Sequence, residues 1–191
     1  MPKDNIERAI AKGAGADADA SSFETVVYEG YGPEGVAVLV EAVTDNRNRT
    51  ASEVRHAFAR SGGNLGTTGA VAWQFERRGV VLVSAAGAEE DDLVLVAADA
   101  GADDVELDGS SFVVSSAPEA MAGVRRALEE AGFAVESVEL AMIPKATVTI
   151  SDESKARQIM RLIEGLEDTD DVQDVYANFD IPEAVLEAVV S

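Results

Sequence analysis

The chain has 191 residues, 47% of them hydrophobic, and a formal charge of −21, which is enough material for one large domain or two small ones with a real core. It has no cysteine and a single histidine, His56. Disulfides, thiolate metal sites and cysteine nucleophiles are therefore excluded, and a zinc site or a Ser-His-Asp triad has almost nothing to be built from. The acidity argues against nonspecific binding of nucleic acid or anionic membrane by the whole surface, but not against a local basic patch.

Met1 to Gly13 has amphipathic helical spacing and lacks the apolar stretch of a signal peptide. No apolar run reaches the length of a membrane span, so the expected location is cytoplasmic, with no membrane partner. Ala14 to Ser22 is small and polar and reads as a linker. Glu24 to Gly30 is a strand, and Gly30-Tyr31-Gly32-Pro33-Glu34-Gly35 a turn. Val36 to Val43 is nearly continuously apolar, as in a strand buried on both faces. Thr50-Ala51-Ser52-Glu53 has capping-box spacing and predicts a helix opened by Thr50. Val54 and Phe58 form its apolar face, and Ser61-Gly62-Gly63 ends it. Val71, Trp73 and Phe75 alternate and predict a further strand, in which core packing outweighs base stacking as the role of Trp73 and Phe75.

From Val80 onward a self-contained unit is expected. Val80 to Val83 is a strand, Leu93, Val96, Ala97 and Ala100 mark a helix, and Val105/Leu107 and Phe112/Val114 are strands around Asp108-Gly109. Met121, Val124 and Leu128 line a second helix after Pro118, and Val138, Leu140 and Met142 a last strand. The order is βαββαβ, the ferredoxin-like arrangement. A helix with Ala156, Ile159, Met160 and Ile163 and a strand with Val175, Ala177 and Phe179 follow. They either return to the first sheet, making the ferredoxin-like unit an insertion, or form an appendage to a plain two-domain chain. The predicted class is α+β, with two α/β sandwich domains.

Charge is uneven. Residues 1–78 hold 9 basic and 11 acidic residues, whereas residues 79–191 hold 6 and 25. Residues 44–78 carry Arg47, Arg49, Arg55, Arg60, Arg77 and Arg78 against Asp45, Glu53 and Glu76, a window of +3. Asp45-Asn46-Arg47-Asn48-Arg49-Thr50 joins a buried strand to a helix start, where free amides and the helix dipole favour anions. Arginine and asparagine forks add donors suited to phosphate oxygens and base edges. Arg55 lies one turn further on, and His56 and Arg60 sit four apart. A solvated loop in which Arg49 pairs with Glu53 explains the same spacing equally well. Ser61 to Gly66 lacks the Lys-Ser/Thr of a P-loop and reads as a helix stop and turn. The run Glu89-Glu90-Asp91-Asp92 complements a helix dipole more simply than it binds a cation. No nucleophile and base pair falls in a recognisable motif.

Four segments carry a resemblance. Met1-Pro2-Lys3-Asp4-Asn5-Ile6-Glu7-Arg8-Ala9-Ile10, Tyr28-Glu29-Gly30-Tyr31-Gly32-Pro33, Thr44 to Thr50 with Glu53-Val54-Arg55, and Gly62-Gly63-Asn64-Leu65-Gly66 closely resemble the YebC family. The resemblance spans essentially the whole chain, its later half more by element order than by motif. It implies an N-terminal helical module, an α/β domain and a ferredoxin-like domain inserted in it, and so favours the insertion. The boundaries expected are a remnant helix over 1–14, a linker over 15–22, an outer domain of 23–78 with 149–182, the inserted domain over 79–148 and a tail over 183–191. Members of that family carry a Lys-rich module ahead of the Met-Pro-Lys-Asp-Asn segment, and this chain is expected to begin on that module's last helix, without much of the family's positive charge.

The resemblance implies a cytoplasmic, non-enzymatic, DNA-binding transcriptional regulator. It also implies an alternative in translation, since one mitochondrial member activates cytochrome oxidase synthesis and bacterial members relieve ribosomes stalled at proline runs. The expected contact with DNA, or with rRNA on the ribosome, is made through residues 44–60 by Asn46, Arg47, Asn48, Arg49, Thr50, Arg55, His56 and Arg60. No metal and no cofactor is expected. The acidic inserted unit is expected to meet a protein partner, and small-ligand sensing by that unit is the third reading.

Overall fold

The computed structural model describes residues 22–191. The helix expected over 1–14 and nearly all of the linker lie outside the described residues. The chain forms two compact units, one ending at Phe75 and resuming with Pro144–Ser191, the other comprising Glu76–Ile143.

In the outer unit, β1 (Glu24–Tyr31) and β2 (Ala37–Thr44) are an antiparallel pair around the turn at Pro33–Gly35. β2 leads into α1 (Arg47–Arg60), and the short β3 (Asn64–Leu65) returns to pair with β1. Much later in the chain, α4 (Glu153–Glu167) is followed by β9 (Val172–Ala177), which pairs antiparallel with β2. The sheet order is β3-β1-β2-β9, so the unit in between is an insertion in the outer fold. The apolar run of β2 explains its central place. Val38, Val40 and Ala42 face the helices together with Val54, Ala57 and Phe58 of α1 and Ala156, Ile159, Leu162 and Leu166 of α4. Ala37 and Leu39 on the opposite face are buried as well. The terminal residues include a helix, α5 (Glu183–Val190), and Val185 and Val189, four apart, pack on the same core. The remaining strands, β8 (Val148–Thr149) and β10 (Phe179–Asp180), form a small parallel ladder.

The inserted unit runs β4 (Phe75–Ser84), α2 (Glu90–Asp99), β5 (Ala102–Asp108), β6 (Ser111–Ser116), α3 (Met121–Glu130), β7 (Val135–Pro144). Its sheet order, β5-β6-β4-β7, is that of a ferredoxin-like βαββαβ fold. Val81, Val83, Phe112 and Val114 of the sheet meet Leu93 and Ala97 of α2 and Val124 and Leu128 of α3. The fold is thus α+β, with a ferredoxin-like domain inserted in an outer α/β domain.

Two local expectations are corrected. Thr50 does not open the helix: α1 starts at Arg47, and the side chain of Asn46 caps it by accepting the Arg49 amide at 3.1 Å. The alternation of Val71, Trp73 and Phe75 is not a strand either. Residues 72–74 form a 3-10 turn, and β4 begins only at Phe75. Val71 and Phe75 are buried, whereas Trp73 is 66% exposed. The cause is Glu29. Its carboxylate, only 5% exposed, accepts the amides of Gly69, Val71 and Ala72 at 2.7–2.8 Å and coils the segment around itself.

Candidate nucleic-acid interface

α1 buries Thr50, Val54, Ala57 and Phe58, an i, i+4, i+7, i+8 stripe that fixes where every other side chain points. At about 100° per residue, Asn48 and Arg55 fall on one flank of that stripe, Arg49 and Arg60 on the other, and His56 on the outer side, while Arg47 is in line with the edge of the stripe nearest Asn48 and is exposed at the helix start. The eight expected contact residues are therefore not one face. Asn46, Arg47, Asn48, Arg49, Arg55, His56 and Arg60 are all exposed, and Thr50 is fully buried.

The flank with Arg49 is committed to the fold. Arg49 Nη2 lies 2.8 Å from Asp171 Oδ2 and 3.1 Å from Asp45 Oδ1. The hydrogen bond and charge of Asp171 hold the guanidinium even more firmly protonated than usual, outweighing partial desolvation. Thr50 Oγ1 approaches the same Asp171 oxygen at 2.7 Å and Thr44 Oγ1 at 2.8 Å. A hydroxyl carries one proton. The shortest contact assigns the Thr50 proton to Asp171, so Thr44 donates to Thr50 and accepts the Asn46 amide at 2.9 Å. Asp171 precedes β9, so this chain of bonds ties the end of β2, the first turn of α1 and the approach to β9 together. Arg60 lies against α4, where a Cβ added at Gly165 would come within 3.2 Å of its Nη2.

Arg47 and Asn48 border open space. Both residues line a polar groove of about 240 Å³, together with Val26 to Glu29 of β1, Ala51, Gly66 and Thr68. Arg47 also makes a loose, solvent-exposed ion pair with Glu24 at 3.5 Å. The first turn of α1 contains no acidic residue, so nothing on the helix itself cancels its N-terminal field. Among the described residues no group of three or more His, Cys, Asp or Glu side chains is placed to hold a metal, and no helix is long and apolar enough to cross a membrane. In the inserted unit a hollow of about 200 Å³ is lined by Val94, Ala98, Ala102, Asp103, Asp104 and Val105.

Residues 23–179 match the family description "TACO1/YebC second and third domain". The chain belongs to the TACO1/YebC family. A protein of Rubrobacter xylanophilus named "Probable transcriptional regulatory protein" is 54% identical over 99% of this chain and 75% of its own length. A protein of the same name from Syntrophobacter fumaroxidans is 50% identical over 99% of this chain and 76% of its own. The crystal structure of the conserved hypothetical protein Aq1575 from Aquifex aeolicus superposes with a TM-score of 0.82 at 48% identity, covering 96% of this chain and 75% of that one. Within this TACO1/YebC chain, the sequence pattern did not single out Asp171, Glu29 or the exposure of Trp73. Each depends on a partner about 40 to 120 residues away, beyond the reach of periodicity.

Proposed function

We propose that this protein regulates gene expression by binding DNA, and that Arg47 and Asn48, supported by Asn46 and Arg55, grip the phosphate backbone at the N-terminus of α1. The observation that carries this reading is the exposed Arg47–Asn48 pair beside a polar groove, in a window of +3 within a chain whose net charge is −21. Arginine forks and free helix amides suit phosphate oxygens, and the exposed Glu24 is a partner that a phosphate can replace. The names of the relatives support a role in transcription. Thr50 drops out of the contact set because its hydroxyl is spent internally, and Arg49 serves as an anchor.

The test is the combined variant R47A/N48A, measured by duplex binding across a salt series. Affinity is expected to fall, and the slope of log K against log salt to flatten by roughly one unit per lost phosphate contact. Unchanged affinity and slope would refute the reading. Ribosome co-sedimentation at matched salt distinguishes the translational alternative: sedimentation that depends on Arg47, without duplex binding, would replace DNA by ribosomal RNA.

The inserted unit stays away from nucleic acid in this reading. Residues 76–143 carry Arg77, Arg78, Arg125 and Arg126 against 15 acidic residues, so phosphates are repelled at close range, and a basic protein surface is the partner that suits it. Crosslinks from this unit to DNA at physiological salt would contradict that assignment.

A further inference from the structure

The segment 66–73 holds an arrangement that the grip on phosphate does not use. Trp73 is 66% exposed and Tyr31 is 37% exposed. Trp73 Nε1 and Tyr31 Oη both donate to the carbonyl oxygen of Ala70, at 3.0 and 3.1 Å. Their polar atoms thus meet at one point, and the rings are held near each other with apolar surface facing water. The support beneath them is rigid, because Val71 is fully buried and the Glu29 carboxylate pins Gly69, Val71 and Ala72. A large aromatic ring on a preorganised base gains nothing for the fold by facing solvent. The same segment begins at Gly66 and Thr68, which line the groove shared with Arg47 and Asn48. Thr68 and Ala70 are two residues apart, a span of about 7 Å or less, comparable to one nucleotide step.

Resting on the proposed phosphate grip of Arg47 and Asn48, we propose that this site takes an unpaired strand, whose bases stack on Trp73 and Tyr31 while its backbone follows the groove. Bases inside a duplex are already stacked and offer their faces to nothing. Unpaired bases do, and every base has such a face, so the platform favours single strands without choosing a sequence. The local basic window supplies the attraction for phosphates that the aromatic platform lacks.

Trp73 is the only tryptophan in the chain, so its fluorescence reports the contact directly. The probes are a 12-nucleotide oligo-dT, an oligo-U of equal length, a 12-base-pair duplex and inorganic phosphate. Both single strands should quench Trp73 and bind more tightly than the duplex, and the tighter of the two identifies the source of the strand. W73A should weaken single-strand binding by about 5- to 150-fold, the range found for loss of one base–aromatic stack. W73F, which keeps a ring, should retain most of the affinity, and thermal unfolding checks that both variants fold. R47A/N48A losing binding while W73A does not, or tighter duplex binding with no quenching, would overturn the stacking site alone. Loss of neither interaction on R47A/N48A would overturn the grip on phosphate itself.

Discussion

Removal of Asp171 separates anchor from contact in the basic loop. In the D171A variant, Thr50 loses a 2.7 Å hydrogen bond to a carboxylate and Arg49 loses its shorter ion pair of 2.8 Å. The Asp171 side chain is only 12% exposed and Thr50 is fully buried, so the first bond is a charged one out of water, with a value of about 1.5–3 kcal/mol. The Arg49 pair is half open to solvent and adds less than about 1 kcal/mol. Part of the loss is recovered, because the Thr50 hydroxyl can turn to the Asn46 carbonyl at 3.2 Å and Arg49 keeps Asp45 at 3.1 Å. The expected net cost is about 2 kcal/mol, and D171N, which keeps an acceptor oxygen, should cost about half of that. Urea unfolding followed by Trp73 fluorescence measures it, since that residue lies in the same compact unit as Asp171 and the inserted unit does not contribute to the signal. T50V and D171A should be strongly non-additive, because each removes the same bond. A D171A variant within about 0.5 kcal/mol of the parent, or an additive double variant, would refute the anchoring role.

Other outcomes follow from the same structure. R49A should cost stability, by up to about 1 kcal/mol, while the salt slope of nucleic-acid binding stays unchanged; the reverse pattern would return Arg49 to the contact set. Burial pushes the Glu29 carboxyl up, but the three backbone amides outweigh it and hold the value below the ordinary 4.5. Its stabilisation is therefore fully present above that pH and is lost as pH falls through the folded value, and E29Q should remove this part of the acid transition of the outer unit, seen in Trp73 fluorescence. Burial pushes the Asp174 carboxyl above the ordinary 3.8, and Glu41 faces it across β2 and β9. The folded state holds that proton more tightly, so the contribution is most favourable below the unfolded value and is lost as pH rises through the folded one. D174N should accordingly stabilise the protein at neutral pH by about 0.2–1 kcal/mol in urea titrations. At Gly30 an added Cβ would lie 2.7 Å from both the Phe58 ring and the Asn64 carbonyl, so G30A should cost about 1–3 kcal/mol by thermal or urea unfolding.

What was legible in the sequence was what repeats locally. The unbroken apolar run of β2 marks a central strand and Val54 and Phe58 mark the buried face of α1, whereas the orphan helix and strand after Ile150 leave two topologies open, of which the return to the outer sheet is the one the fold adopts. Thr50 misleads as a helix start because two cap-competent sites compete within five residues. Thr50 has Glu53 at capping-box spacing and Asn46 does not, yet Asn46 caps the helix. The contest is decided by Asp171, which draws the Thr50 hydroxyl inside the fold, and nothing near Thr50 in sequence signals that. The segment around Trp73 failed for a related reason. Alternation of Val71, Trp73 and Phe75 has the period of a strand, but the Glu29 carboxylate takes the amides that a strand would have offered to a neighbour. The same capture turns Trp73 outward. Its exposure is thus a consequence of a buried acid 44 positions earlier in the chain, whereas the basic window itself could be counted residue by residue.

In the proposed function, the division of charge assigns the two units different work. At physiological ionic strength, charges more than about 8–10 Å apart are largely screened from each other. A phosphate at Arg47 therefore feels the arginine, the asparagines, the helix amides and the Glu24 carboxylate it would displace, and not the sum of −21. The distant acids still act on approach, where they oppose the nonspecific attraction that a uniformly basic protein has for any nucleic acid. Binding then requires a ligand that gains from close contact, by filling the groove and covering an aromatic face. A small basic flank on a strongly acidic protein trades encounter rate for discrimination. That is why, in this fold, the anchoring of α1 by Asp171 and of the Trp73 segment by Glu29 matters as much as the charges they position. Contacts that long-range attraction does not supply must be made by geometry, and both carboxylates hold geometry that the local sequence does not impose.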